Sequence, residues 1–227
     1  MTTLEETPIP AADRGAAAAW LPALLLLFIG SGCAALIYEV VWFQLLQLSI
    51  GSSAVSLGVL LGIYMGGMCL GSLLLPRYVS PRQHPLRVYA YLELGIGAFG
   101  ILVLYAVPFL GGIYTAWAGT GMTSLILRAL VASICLLPPT LLMGGTLPVV
   151  ARGVEATPNG VSWLGFFYGG NLVGAVAGSL LAGFYLLRLY DMPTATFAAV
   201  ALNVTSPPCP RRAAAMASST SPSRCRG

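Results

Sequence analysis

The chain has 227 residues, of which 57% are hydrophobic and 8% charged, and its formal net charge is +4. Soluble domains carry about 25% charged residues, so this composition, with a mean hydropathy of +0.85, excludes a soluble globular enzyme and a disordered segment. It points to an all-α, polytopic integral membrane bundle. The eleven Lys and Arg positions are all arginines, mostly set singly between apolar runs without forming a basic face, so the positive charge does not indicate nucleic acid.

About twenty apolar residues cross a bilayer as a helix. Residues 1–19 read as a cytoplasmic N-terminal segment and 20–203 as the transmembrane bundle, with helices predicted over 20–48, 54–75, 88–110, 125–150 and 163–187. Glu39 lies in the first and Glu93 in the third, and the stretch 111–122, with its Gly and Thr residues, reads as a loop. The fourth contains Arg128, Pro138, Pro139 and Pro148, and such prolines kink a membrane helix where neighbours satisfy the freed carbonyls. A partial sixth segment starts near Thr194 and is lost after Val204, about half the length it needs. Five full spans plus a partial sixth make a half-transporter-like bundle.

Small residues at spacing four let backbones approach closely. Gly58, Gly62 and Gly66 form one such stripe, and Gly170, Gly174, Gly178 and Ala182 another. Arg77, Arg82 and Arg87 crowd the connection between the second and third helices, Arg152 follows the fourth, and Arg211 and Arg212 follow the sixth. These arginines read as topogenic charges, placing both termini and the Arg-bearing loop on the cytoplasmic side of the cell's inner (plasma) membrane.

Several apparent motifs dissolve in context. The first apolar run is too long, and its flank too acidic, for a signal peptide. Cys33 sits in Gly30-Ser-Gly-Cys, where a lipoprotein cleavage site would want a large aliphatic residue instead of Gly30. Gly95-Ile-Gly97-Ala-Phe-Gly100 matches the dinucleotide fingerprint but lies inside a membrane helix, with no acid about twenty residues on, and reads as helix packing. Asn203-Val-Thr205 is a formal glycosylation sequon at the cytoplasmic end. Cys33, Cys69 and Cys135 lie in apolar stretches, and Cys209 and Cys225 in the polar tail form no Cys-x-x-Cys pair. No catalytic residues, metal site or cofactor are expected.

Candidate chemistry rests on the intramembrane polar residues. Glu39 and Glu93 are acids at membrane depth, the signature of a proton relay or a site for a cationic ligand. The competing reading is structural, with each acid capped by hydroxyls, by the Gln44 or Gln47 amide, by Arg128 or by a broken backbone. Helical spacing puts Ser31, Ala35, Glu39 and Gln47 on one stripe, and Tyr89, Glu93, Gly97 and Gly100 on another. Asn171, beside a glycine stripe, reads first as an interhelical hydrogen-bonding residue.

Four segments in order carry a resemblance: Gly32-Cys-Ala-Ala-Leu-Ile-Tyr38-Glu39-Val-Val-Trp42; Glu93-Leu-Gly95-Ile-Gly97; Leu137-Pro-Pro-Thr140-Leu-Leu-Met143-Gly144-Gly145-Thr146-Leu-Pro148; and Tyr168-Gly-Gly-Asn171-Leu-Val-Gly174-Ala-Val-Ala-Gly178. Over residues 20–203 the chain resembles the membrane part of spermidine-synthase-like proteins, in which a membrane bundle precedes a soluble aminopropyltransferase-type domain. The resemblance implies a bundle that anchors, or handles a polyamine-type cation for, such an enzyme domain. That domain would bring a Gly-rich motif for decarboxylated S-adenosylmethionine and an Asp for the amine, and nothing in residues 204–227 resembles it. The loop after Gly71 is also similar to the second-to-third helix loop of major facilitator transporters, although the usual Asp-Arg pair is absent. The alternative is therefore a secondary-transporter half-bundle that dimerises.

From Ser206 onward Pro, Ser, Arg and Cys replace the apolar pattern. A Lys-free, Ala-, Gly- and Arg-rich chain suggests GC-rich codons, and such DNA read out of frame gives this kind of tail. The expectation is a frameshift near codon 204, a disordered tail over 204–227 and no aminopropyl transfer by this chain.

Overall fold

A computed structural model describes residues 11–50, 53–79, 83, 85–117, 122–154 and 160–205. Apart from a few turn positions, the described residues are helical, with no strand among them. The helices are α1 (Ala11–Ile50), α2 (Ser53–Tyr78), α3 (Pro85–Trp117), α4 (Met122–Val154) and α5 (Gly160–Leu180). α5 runs on through a π-helical turn (Leu181–Leu186) into the short α6 (Leu187–Leu189), and α7 (Met192–Thr205) follows. Within them, Leu24–Leu48, Leu57–Tyr78, Pro85–Leu110, Ala129–Arg152 and Trp163–Leu189 are long and apolar enough to cross a membrane. The chain is an all-α, multi-pass membrane bundle. Large apolar side chains such as Leu26, Met65, Phe109, Ile134 and Phe184 are exposed on its perimeter, as contact with lipid requires.

Two helix ends depart from expectation. α1 begins at Ala11, so residues 11–19 extend the first helix. α3 continues to Trp117, so the expected loop over 111–122 shrinks to a connection whose residues 118–121 lie outside the described ones. A glycine costs a helix about 1 kcal/mol, whereas an unsatisfied backbone pair near the bilayer costs several. Gly111 and Gly112 therefore stay helical. α4 is continuous across its three prolines. Beside the Pro138-Pro139 gap, the Thr140 hydroxyl donates to the Leu136 carbonyl at 3.0 Å and to the Leu137 carbonyl at 2.9 Å. The expected tail lies outside the described residues from 206 onward, and Val204 and Thr205 belong to α7.

The bundle contains two pairs of helices in backbone contact. α1 lies along α5: a methyl group on Gly174 would collide with the Ile29 carbonyl, and one on Gly178 with the Cys33 carbonyl. The Gly170–Ala182 stripe is thus a packing face, as its spacing indicates. α2 lies along α4 in the same way, with Gly71 against the Leu141 carbonyl and Gly144 against the Met68 carbonyl.

The Gly58-Gly62-Gly66 stripe, in contrast, does not pack: a methyl group on any of the three would meet nothing within 4 Å. α2 offers two glycine rows, and Leu60 and Tyr64, buried one turn apart, rotate the Gly67-Gly71 row inward. The inner row is set by the shape of α4, which α2's own spacing does not contain.

α3 packs mainly on α4, and α7 fills the space between α1 and α3. Two apolar clusters stack along the bundle. One joins Leu24, Phe28, Tyr89, Val150 and Phe167, with Phe28 stacked on Tyr89 at 5.5 Å and on Phe167 at 5.4 Å. The larger one includes Ile37, Tyr38, Trp42, Tyr64, Ile96, Leu136, Met143 and Ala199. Ser31, Glu93 and Thr146 fall in sequence between members of the first cluster and members of the second, which sets one polar layer across the bundle between two apolar blocks.

Candidate functional site

Glu93 is the centre of that layer. It lies on the inner stripe of α3, where Tyr89, Glu93, Gly97 and Gly100 are all buried. Its side chain is fully buried. From α1, the Ser31 hydroxyl donates to Glu93 Oε1 at 2.6 Å, a length typical of a charge-assisted bond. Oε2 has no hydrogen-bond partner among the described residues. The Tyr89 hydroxyl, one turn earlier on α3, lies within reach of this carboxylate and of Ser31, just outside strict hydrogen-bond geometry. Tyr38 comes from α1, stacked on Trp42 at 5.5 Å, and its buried hydroxyl is likewise unpartnered among the described residues. From α7, Asn203 donates through Nδ2 to the Glu93 carbonyl at 3.5 Å, leaving its buried Oδ1 free of described partners.

Glycines admit these groups. Gly100 of the fingerprint-like run receives the Tyr38 ring, and Gly95 would set a methyl group 3.0 Å from Leu142. That run is helix packing, as its context indicated. Four buried oxygens on three helices find no partner among the described residues: Glu93 Oε2 itself, the Tyr89 hydroxyl one turn earlier, Asn203 Oδ1 near the Glu93 backbone, and the Tyr38 hydroxyl against Gly100, about 10 Å further along α3. Native proteins leave few buried polar groups unsatisfied, and in a bilayer each costs several kcal/mol. All four are oxygens (two hydroxyls, an amide oxygen and a carboxylate oxygen), a donor set suited to a proton or a cation bearing N–H groups.

The other expected residues are arranged differently. Glu39 is half-buried on α1, eight residues beyond Ser31, which places it about 12 Å along the helix axis from the Glu93 contact. Tyr64 of α2 stands beside it and donates to the Ala35 carbonyl at 3.5 Å. No hydrogen bond to Glu39 is found among the described residues, and the Arg128 side chain lies outside them. The two acids therefore occupy separate depths.

Asn171 on α5 abuts Gly32, whose added methyl would lie 2.8 Å from Asn171 Oδ1. It thus meets α1 next to Ser31, at the depth of the polar layer. Arg77 and Arg87 are exposed, at the end of α2 and in the first turn of α3, and Arg82 lies outside the described residues. The cap found for Glu93 is a hydroxyl, one of the structural alternatives weighed from sequence.

Asn203 and Tyr38 are the site residues that sequence reading passed over. Asn203 registers there as a glycosylation sequon, yet it is buried inside α7, and the Thr205 hydroxyl donates to the Ala201 carbonyl at 2.8 Å. The usable signal was an amide side chain in an otherwise apolar helix, which marks an interhelical contact. Among the described residues no group of three or more His, Cys, Asp or Glu is placed to hold a metal ion. Compared with protein-family models, with curated proteins and with solved structures, the chain matches none.

Proposed function

We propose that this bundle is the membrane domain of a spermidine-synthase-like protein, and that Glu93 receives an ammonium group of a polyamine-type cation. One observation carries the reading: a fully buried carboxylate whose Oε2 finds no partner among the described residues, with the Tyr89 hydroxyl beside it and the Asn203 amide on its own backbone carbonyl. An unaccompanied charge at this depth is expensive, so the anionic carboxylate and a cation are favoured together. An ammonium group brings three N–H donors to the carboxylate, amide and hydroxyl acceptors. The domain sits in the inner membrane with both termini cytoplasmic and passes the cation to, or holds it for, a soluble aminopropyltransferase-type partner domain. The division of the bundle into two helix pairs also suits the alternative, a transporter half-bundle acting as a homodimer.

The test uses the purified full chain in detergent. Spermidine raises the melting temperature of the wild type, and Glu93→Gln weakens its apparent affinity about 10- to 100-fold, the loss of one contact to a charged group. Glu39→Gln keeps most of the affinity, because Glu39 lies at a separate depth, about 12 Å along α1 from the Glu93 contact. A folded Glu93→Gln variant with unchanged spermidine affinity overturns the proposal. Should Glu93→Gln fail to fold, Tyr89→Phe and Tyr38→Phe remove single hydroxyls, and unchanged affinity in both has the same consequence. Spermidine uptake into proteoliposomes distinguishes transport from holding.

A further inference from the structure

The close approach of α2 and α4 has a result at the end of the bundle where both helices finish. Gly144 meets the Met68 backbone, and Gly145 would collide with the Leu75 side chain if it carried a methyl group. Two residues past Leu75, α2 presents Arg77, and seven past Gly145, α4 presents Arg152. Both arginines line one cavity of about 620 Å³, together with Gln83 of the connection and the apolar Pro76, Pro85 and Val149. No acidic residue is among the described residues that line it. Arg77 ends the second span and Arg152 the fourth, so the cavity opens at the depth of the lipid headgroups.

Topogenic charge requires only that arginines lie on one side of the membrane. It does not require two of them, from helices 75 residues apart in sequence, to share a cavity with an amide donor and an apolar wall. A guanidinium offers a planar fork of N–H donors matched to phosphate oxygens. Two forks and the Gln83 amide make a donor-rich pocket, and the proline and valine wall suits the glycerol and upper acyl carbons of a phospholipid. Basic pockets between membrane helices at this depth hold anionic headgroups.

We propose that the cavity between the ends of α2 and α4 binds a phosphate-bearing anion, with Arg77 and Arg152 clamping the phosphate from two helices. The source is a bilayer lipid or a soluble phosphate ester, and the experiment separates them. The purified full chain is delipidated in detergent and examined by native mass spectrometry with phosphatidylglycerol, with phosphatidylcholine and with inorganic phosphate. The wild type retains phosphatidylglycerol in preference to phosphatidylcholine. Arg77→Gln and Arg152→Gln each reduce that preference about fivefold, and the double variant about thirtyfold. Arg188→Gln, exposed in α6 at the opposite end of the fifth span, leaves it unchanged.

Preference for phosphatidylglycerol that excess inorganic phosphate does not displace assigns the ligand to the bilayer. Displacement by inorganic phosphate assigns it to a soluble phosphate. The double variant retaining full preference, or binding neither ligand differently from wild type, overturns the proposal. Arg77→Lys with Arg152→Lys preserves charge at both exposed positions. Partial retention there, against loss in the Gln pair, shows that the effect is binding and not misfolding.

Discussion

At the scale of single residues, a glycine in this bundle matters according to what the neighbouring helix places opposite it. Gly144 faces the Met68 backbone, which cannot rotate away, whereas Gly62 faces open space. Gly144→Ala is therefore expected to destabilise the protein by about 1–3 kcal/mol, the usual cost of overpacking. Gly62→Ala is expected to be neutral or to stabilise by up to about 1 kcal/mol through helix propensity. Unfolding of the purified chain titrated with sodium dodecyl sulfate reads both, and equal effects would contradict the assignment of the inner face of α2. Sequence spacing marks both the Gly58-Gly62-Gly66 row and the Gly170–Ala182 row as contacts, and only the second is one. A repeat of four states that a face is smooth and leaves open whether another helix covers it. The same asymmetry holds for the acids. Glu93 was legible as an intramembrane carboxylate on a buried stripe, and Ser31 lay on the facing stripe, but their 2.6 Å bond depends on the relative rotation of α1 and α3.

At the scale of elements, the number, order and approximate extent of the five long helices follow from hydropathy, because a bilayer admits little else. Helix ends were less legible, since Gly111 and Gly112 resemble loop residues only while the membrane is left out of account. The least legible element is α7. Its fourteen residues reach about 21 Å, short of the roughly 30 Å hydrocarbon core, so it reads as unfinished. In the structure it is packed on α1 and α3 and brings Asn203 to Glu93. Asn203→Leu is expected to change stability by only about 0.6 kcal/mol, the average for a membrane hydrogen bond. It should weaken spermidine binding severalfold, since the Oδ1 acceptor is lost. The detergent unfolding titration and the melting-temperature assay measure the two effects separately, and a large stability loss with intact binding would make Asn203 a packing residue alone.

The π-helical turn is also an element-level device. Buried positions 170, 174, 178, 182 and 186 keep a spacing of four, and in an α-helix such a row drifts by about 40° per step. The wider turn over Leu181–Leu186 rotates the row back toward α1, keeping Ala182 and Leu186 buried.

At the scale of the whole molecule, Arg77, Arg87 and Arg152 stand at one end and Arg188 at the other. With native cysteines replaced, Gln83→Cys is expected to react with a membrane-impermeant maleimide only from the cytoplasmic side, and Tyr190→Cys only from the opposite side. Labelling of the Gln83→Cys variant from outside intact cells would reverse the orientation. The clustering of arginines at one end was legible in the loop charges. The gathering of Arg77 and Arg152 around one cavity was not, because it depends on how closely two glycine-bearing helices approach.

The two backbone-to-backbone pairs have a mechanical consequence. Contacts between main chains yield less than contacts between side chains, so α1 with α5, and α2 with α4 carrying α3, are expected to move as two units joined through the shared apolar cluster. Among the described residues few polar bonds cross the joint between them. The Ser31–Glu93 bond is one, the Tyr64 hydroxyl to the Ala35 carbonyl another, and the Asn203 contact to the Glu93 carbonyl ties α7, seated against α1, to the second unit. A slip of about 2.5 Å along this joint, roughly perpendicular to the bond, would stretch the 2.6 Å Ser31–Glu93 bond beyond hydrogen-bonding length. A ligand bound at Glu93 is therefore expected to act as a latch: it would set how readily the two units slide, and their sliding would set in return how tightly it is held.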